Sequence, residues 1–312
     1  MNFQNLVPVE RSKTYLDLAF RKAREKVQKK LTGDFLQRLK KKESIKLDVV
    51  KDQLVTRLEG VLNSFPSMAH LPSFYHELLK LTLDYGELKK SLGAVNWAVG
   101  KVRIFHKEYV RKISRCEQKE KISQTGKEFY GRISSVVKQI DSNLAYLQES
   151  RKIMRGYPDI KEMPTIVIFG FPNVGKTTLL NKLTGSKGKV AEYSFTTQGV
   201  NSGFITSGEK KIQFLDVPGS LSRLDKMNNI EKIAYLTVKE LADKIIYVFD
   251  LSGAGYDFEQ QEKLYQLLKN EYGKDKKILV YVSKTDITPK ETIAELKIKH
   301  LSFAELNKEI LE

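Results

Sequence analysis

Gly170-Phe171-Pro172-Asn173-Val174-Gly175-Lys176-Thr177 is the stretch on which the reading of the chain turns. An apolar run before it, Thr165 to Phe169, has the length of a short buried strand. After it, Thr178-Leu179-Leu180-Asn181-Lys182-Leu183 has the apolar spacing of a helix start. Strand, Gly-x4-Gly-Lys-Thr and helix, in that order, is the context a phosphate-binding loop requires. Glycines let the backbone wrap an anion with successive N–H groups aimed at it, and the helix adds its positive end. On this reading Asn173, Val174, Gly175, Lys176, Thr177 and Thr178 surround the phosphates of a nucleoside triphosphate. Lys176 would bridge the β- and γ-phosphates, and the Thr177 hydroxyl would ligate Mg²⁺.

Downstream, the segments follow the order that such a site needs. Val190 to Asn201 is expected to be a first switch loop, in which Thr196 or Thr197 reaches Mg²⁺ and the γ-phosphate. Lys211 to Leu215 reads as a strand ending in Asp216-Val217-Pro218-Gly219. Asp216 is placed to hold Mg²⁺ through water, and the Gly219 N–H to sense the γ-phosphate. The metal candidates are therefore Thr177, Thr196, Thr197 and Asp216. Lys176, Thr197 and Gly219 are the candidates for stabilising the transferred phosphoryl group. Where many signalling GTPases carry a water-orienting glutamine, this chain has Ser220-Leu221, which predicts slow intrinsic hydrolysis or water positioning by another group.

A further strand, Lys244 to Phe249, and a helix over 257–272 with Phe258, Leu264, Leu267 and Leu268 inward lead to strand Lys277 to Val282. That strand closes with Ser283-Lys284-Thr285-Asp286, the element expected to read the base. Asp286 would accept from the guanine N1–H and exocyclic amine, a pattern adenine lacks, while Lys284 lays its stem along the ring. Ser283 stands where an asparagine is usual. Ser302, just before a helix from Ala304 to Leu311, is the candidate for a last guanine loop.

Ahead of the site the chain reads as helices. Leu16, Phe20, Ala23, Val27 and Leu31 form one apolar stripe, and Leu47, Val50, Leu54, Leu58 and Val61 a second. A short helix begins near Ser73-Phe74-Tyr75. A long one carries Leu88, Leu92, Val95, Val99, Val102, His106, Tyr109 and Ile113, with His106 read as a packed histidine rather than a ligand. A fifth helix is expected to carry Phe129, Ile133, Val136, Ile140, Leu144 and Leu147 as its stripe. The expected fold is an N-terminal antiparallel helical bundle, residues 1–160, followed by an α/β P-loop domain, residues 161–312, with a doubly wound, mostly parallel sheet. Residues 1–163 carry 33 Lys and Arg against 19 Asp and Glu, whereas residues 164–312 carry 21 against 19. Nearly all of the +16 net charge thus lies in the helical part, which points to a polyanionic partner, nucleic acid before membrane.

Other classes are disfavoured. No apolar run approaches the ~20 residues of a membrane span, and the first residues lack a signal-peptide pattern. Cys116 is the single cysteine, which excludes an internal disulfide and fits a reducing cytoplasm. The histidines His70, His76, His106 and His300 have no metal-ligand spacing.

Taken together, the motifs resemble the nucleolar GTP-binding protein family, ribosome-assembly GTPases of the Obg-like class. Residues 170–177, Tyr193-Ser194-Phe195-Thr196-Thr197 and Asp216-Val217-Pro218-Gly219 carry the likeness in the second half. Phe65-Pro66, Ser73-Phe74-Tyr75, Ser91-Leu92-Gly93 and Leu144-Ala145-Tyr146-Leu147 carry it in the helical part. The resemblance implies GTP/GDP and Mg²⁺ as ligands and a large ribosomal subunit precursor, with its ribosomal RNA, as partner. It also implies the short archaeal form, with no long C-terminal extension; a monomer away from the ribosome and a cytoplasmic location, which the single Cys116 fits, are expected alongside. Asn173 is similar to an asparagine of potassium-dependent GTPases, which implies K⁺ beside the phosphates; the plainer reading is a helix-initiating loop residue. The rival to an active GTPase is an RNA-binding placeholder that keeps nucleotide and hardly turns it over.

Overall fold

The computed structural model describes residues 3–26, 32–157, 160, 161, 163–185, 201–207, 210–218 and 229–311. They form two compact units. One consists of residues 3–71 and 83–155, the other of 72–82 and 156–312.

In the helical unit, α1 (Ser12–Lys26), α2 (Phe35–Ser64), α4 (Tyr85–Arg115), α5 (Lys119–Gln139) and α6 (Asp141–Arg155) pack side by side. The stripes read from sequence supply the core: Leu47, Val50, Leu54, Leu58, Val61, Leu88, Val95, Val99, Val102, Tyr109 and Ile113 are all buried. Both long helices start on an aspartate cap, Asp34 accepting from the Gln37 N–H and Asp84 from the Glu87 N–H. α2 and α4 run antiparallel. Lys40, near the start of α2, donates to the Ser114 carbonyl near the end of α4, and His106 meets Asp48 at 2.7 Å. His106 is therefore a half-buried hydrogen-bonded residue at the helix seam.

The fifth stripe is two helices, not one. The break falls at Ile140, and Asp141 opens α6 while accepting from the Arg11 guanidinium and, at 2.8 Å, from the Ser12 N–H. Those hydrogen bonds hold the Asp141 carboxyl well below the usual carboxylate range. An apolar repeat is continuous across such a break because both helices feed one core, so periodicity alone does not reveal it. In the first stripe, α1 ends at Lys26, and Val27 and Leu31 lie outside the described residues.

The nucleotide unit is built on a five-stranded sheet of β1 (Thr165–Gly170), β2 (Asn201–Ser207), β3 (Lys210–Pro218), β4 (Lys244–Asp250) and β5 (Lys277–Ser283), in the order β2-β3-β1-β4-β5. All neighbours are parallel except β2 and β3. Strand order reverses at β1, and an open sheet of this kind offers its ligand crevice at the carboxyl end of that strand. α7 (Lys176–Thr184), α8 (Asn229–Leu241), α9 (Phe258–Tyr272) and α11 (Phe303–Leu311) pack on the sheet; α10 (Lys290–Ala294) is a single turn.

On α9 the inward face is Gln261, Leu264, Tyr265, Leu268 and Tyr272. Phe258 and Leu267, expected inward, are 41% and 54% exposed, because the buried stripe steps from 261 rather than from 258. α3 (Ser73–Thr82), although it falls among the N-terminal helices in sequence, packs on α8 through a face of Phe74, Tyr75, Leu78 and Leu79. The Ile160 N–H donates to the Tyr75 hydroxyl, and Thr82 is bonded to the Tyr157 hydroxyl.

Candidate nucleotide site

The turn leaving β1 is shaped by left-handed backbone. Gly170 has φ +152°, and a Cβ there would lie 2.8 Å from the Val248 carbonyl oxygen. Asn173 has φ +65° and Gly175 +92°. Asparagine tolerates this region better than most residues, which is a backbone reason for its place here. Gly175 also caps α7, so the loop delivers its N–H groups and the helix N-terminus to one point. Within the loop Val174 is buried, and Thr178, in the first turn of α7, is exposed.

Lys176 is 7% exposed, and its ammonium donates to the Phe171 carbonyl at 2.7 Å. Burial lowers its pKa, while the charge of Asp216 raises it. Phe171 is held in turn by stacking on Tyr256, with ring centroids 4.2 Å apart. β3 lies beside β1 with Asp216 opposite Ile168, and this register brings the carboxylate to the loop. The Thr177 hydroxyl donates to Asp216 Oδ2 at 2.5 Å. Two hard oxygen donors in contact beside a phosphate cradle suit Mg²⁺.

The base end is assembled around β5. Ser283 Oγ lies 2.6 Å from the Val174 carbonyl and 3.0 Å from that of Phe249, so its hydroxyl ties the end of β5 to the phosphate loop and to β4. Lys284 has φ +52°, and its ammonium meets Asp250 Oδ2 at 2.6 Å. Burial raises the pKa of Asp250, but hydrogen bonds from Lys284 and Ser252 outweigh it and leave that pKa below the ordinary value. Asp286 is exposed in the turn two residues on. Leu301 forms an isolated parallel bridge with Tyr281, placing Ser302 beside the end of β5. The Ser302 hydroxyl bonds Glu305, whose carboxylate also accepts the Ser302 N–H, a reciprocal cap on α11.

The structure thus brings together residues 173–178, Asp216, Ser283, Lys284 and Asp286 on elements that meet at the carboxyl edge of the sheet. Thr196, Thr197 and Gly219 lie outside the described residues. Sequence reading missed Asp250 and Gln261; the available signal was a charged residue closing an otherwise apolar strand. Among the described residues no group of three or more His, Cys, Asp or Glu forms a separate metal cluster, and no helix is long and apolar enough to cross a membrane.

This fold and loop define a P-loop GTPase domain carried on the same chain as a helical N-terminal domain. The family model of the NOG1 N-terminal helical domain matches residues 3–161, and that of a 50S ribosome-binding GTPase matches residues 165–284. A protein of Methanocaldococcus jannaschii is 36% identical over 253 residues, covering 80% of this chain and 71% of that one. Nucleolar GTP-binding protein 1 of Drosophila melanogaster is 29% identical over 298 residues, 94% of this chain and 46% of that protein. The Saccharomyces cerevisiae protein of the same name is 30% identical over 253 residues, 80% and 39% respectively. The chain belongs to the NOG1 family of GTP-binding proteins. It spans less than half the length of these eukaryotic relatives. Their names overturn the expectation of a cytoplasmic protein, since they point to the nucleolus rather than to the cytoplasm at large.

Proposed function

We propose that the nucleotide unit binds GTP with Mg²⁺ and hydrolyses it slowly, and that the helical unit docks on ribosomal RNA of a large-subunit precursor. One observation carries the nucleotide reading: the 2.6 Å bond from Ser283 to the Val174 carbonyl couples the proposed base loop to the phosphate loop, while the guanine preference rests on Asp286, exposed in that loop, as an acceptor for N1–H and the exocyclic amine. A ligand that satisfies both must present a base and a polyphosphate together. Thr177 and Asp216, with Thr196 or Thr197, would hold Mg²⁺, which would supply neutralisation of phosphate charge. The loop N–H groups and the Lys176 ammonium orient the γ-phosphate for in-line attack by water and stabilise its equatorial oxygens, with the Gly219 N–H as a further donor. No glutamine follows Gly219 to hold the water, which supports a slow basal rate. Calorimetry tests the reading: GTP and GDP should bind at least about 100-fold more tightly than ATP and ADP. Equal affinity ends it.

RNA docking rests on the concentration of positive charge in residues 1–163 and is supported by the ribosome-binding description of the matched GTPase family. Full-length protein should co-sediment with large subunits, with binding that weakens steeply as salt rises. Binding that is absent or indifferent to salt ends this part. K⁺ beside Asn173 is the remaining proposal for the site, and equal turnover in potassium and sodium buffers removes it.

A further inference from the structure

Asp250 is the last residue of β4 and stands opposite Ser283 in the register with β5. Its side chain is 1% exposed. Oδ2 receives the Lys284 ammonium at 2.6 Å, and Oδ1 accepts from the Ser252 N–H at 3.0 Å and its hydroxyl at 2.6 Å. The backbone of Asp250 is clamped as well. The buried Gln261 amide accepts from the Asp250 N–H and donates to the Asp250 carbonyl, each at 2.8 Å, as a neighbouring strand would. Gln261 donates again to the Tyr256 carbonyl, and its own carbonyl accepts from Tyr247. The chain of bonds therefore runs from the core of α9, through Gln261 and Asp250, to the head of Lys284.

A lysine whose stem must lie flat along a base has four rotatable bonds and a strongly hydrated head. Left free, it samples many rotamers, and ordering it on binding weakens the ligand. Fixing the head on a rigid buried carboxylate removes that cost before the base arrives. We propose that Asp250 is a specificity-positioning residue: anchored by Gln261, it holds the Lys284 stem in place against a guanine base. This rests on the guanine reading of the site and extends it to residues outside the Ser283–Asp286 motif. Counter-charge alone would account for a buried pair, so the test must separate positioning from neutralisation.

A double-mutant cycle does so. GDP–Mg²⁺ affinity is measured by calorimetry for full-length wild type, Asp250→Asn, Lys284→Met and the double variant, with ligand-free melting for each. The double variant contains no unpaired buried charge, so it is expected to fold even if a single variant does not. Asp250→Asn should weaken GDP by about tenfold, Lys284→Met by a similar factor, and the double no more than about twofold beyond Lys284→Met. GDP affinity within about twofold of wild type in Asp250→Asn overturns the proposal. So does a second tenfold loss on the Lys284→Met background, which would mean that Asp250 acts without the lysine. Wild type that fails to prefer GDP over ADP refutes the guanine reading itself, and that result is visible before any variant is made.

Discussion

The two ends of the nucleotide site are built from different materials. At the phosphate end the working groups are backbone N–H donors, set by the left-handed φ of Asn173 and Gly175 and by the start of α7. At the proposed base end they would be side chains, Lys284 and Asp286, on a turn braced by Ser283 and Asp250. A backbone device constrains the sequence tightly, because few residues other than glycine adopt its conformations. A side-chain device tolerates replacement so long as some atom still makes the bracing bond. That is why Gly-x4-Gly-Lys-Thr appears here without departure while Ser283 stands in for a longer residue. The serine keeps the bond to the phosphate loop, and Gly175 leaves room for it: a Cβ on Gly175 would sit 3.2 Å from Ser283 Cβ.

The largest effect expected on this comparison comes from Lys176→Ala. Loss of charge-assisted bonds to two phosphates should weaken GTP by about 100- to 1,000-fold in calorimetry. Ligand-free melting should hold or rise, because a buried ammonium with a burial-lowered pKa disappears. A fall in melting temperature would show that the lysine is structural instead. At the other end, Asp286→Asn changes an exposed side chain and should leave folding alone. Its amide offers a donor where guanine also donates, so GTP should lose about 100-fold while xanthosine triphosphate gains. An unchanged GTP preference would remove Asp286 from base recognition.

Ser283→Ala sharpens the comparison at the joint between the ends. The buried hydroxyl serves two carbonyls, so stability should fall by about 1–3 kcal/mol. GTP affinity should drop by about tenfold as the loops uncouple, with little change in the preference for guanine. If the preference collapses instead, Ser283 reads the base directly.

Legibility follows the same division. The phosphate loop, the stripes of α2 and α4 and the strand that carries Asp216 were readable because periodicity and glycine spacing are local properties of sequence. The break at Ile140 was not, because it depends on Asp141 meeting Arg11 and Ser12 across 130 and 129 positions. Nor was the attachment of α3 to α8, which is fixed by a buried face and not by neighbours in the chain. Gln261 is silent in one dimension, since its meaning is the bond to Asp250, and Asp250 shows there only as a charge closing an apolar strand. Ser302 lies beside the end of β5, and its hydroxyl is engaged in capping α11, so position along the chain did not settle its partner.

Asn173 is where the two kinds of device overlap, and it should give the smallest change. If its left-handed backbone is all that matters, Asn173→Gly supplies the same φ without strain. GTP affinity in sodium buffer should then stay within about twofold of wild type. Turnover in potassium buffer separates the readings. A potassium stimulation present in wild type and lost in Asn173→Gly assigns the side-chain oxygen to a monovalent cation. Potassium responses that are equal, or absent in both, leave the residue as backbone alone. In the first outcome the phosphate end, too, depends on a side chain, and the contrast with the base end narrows to the glycines and the helix start.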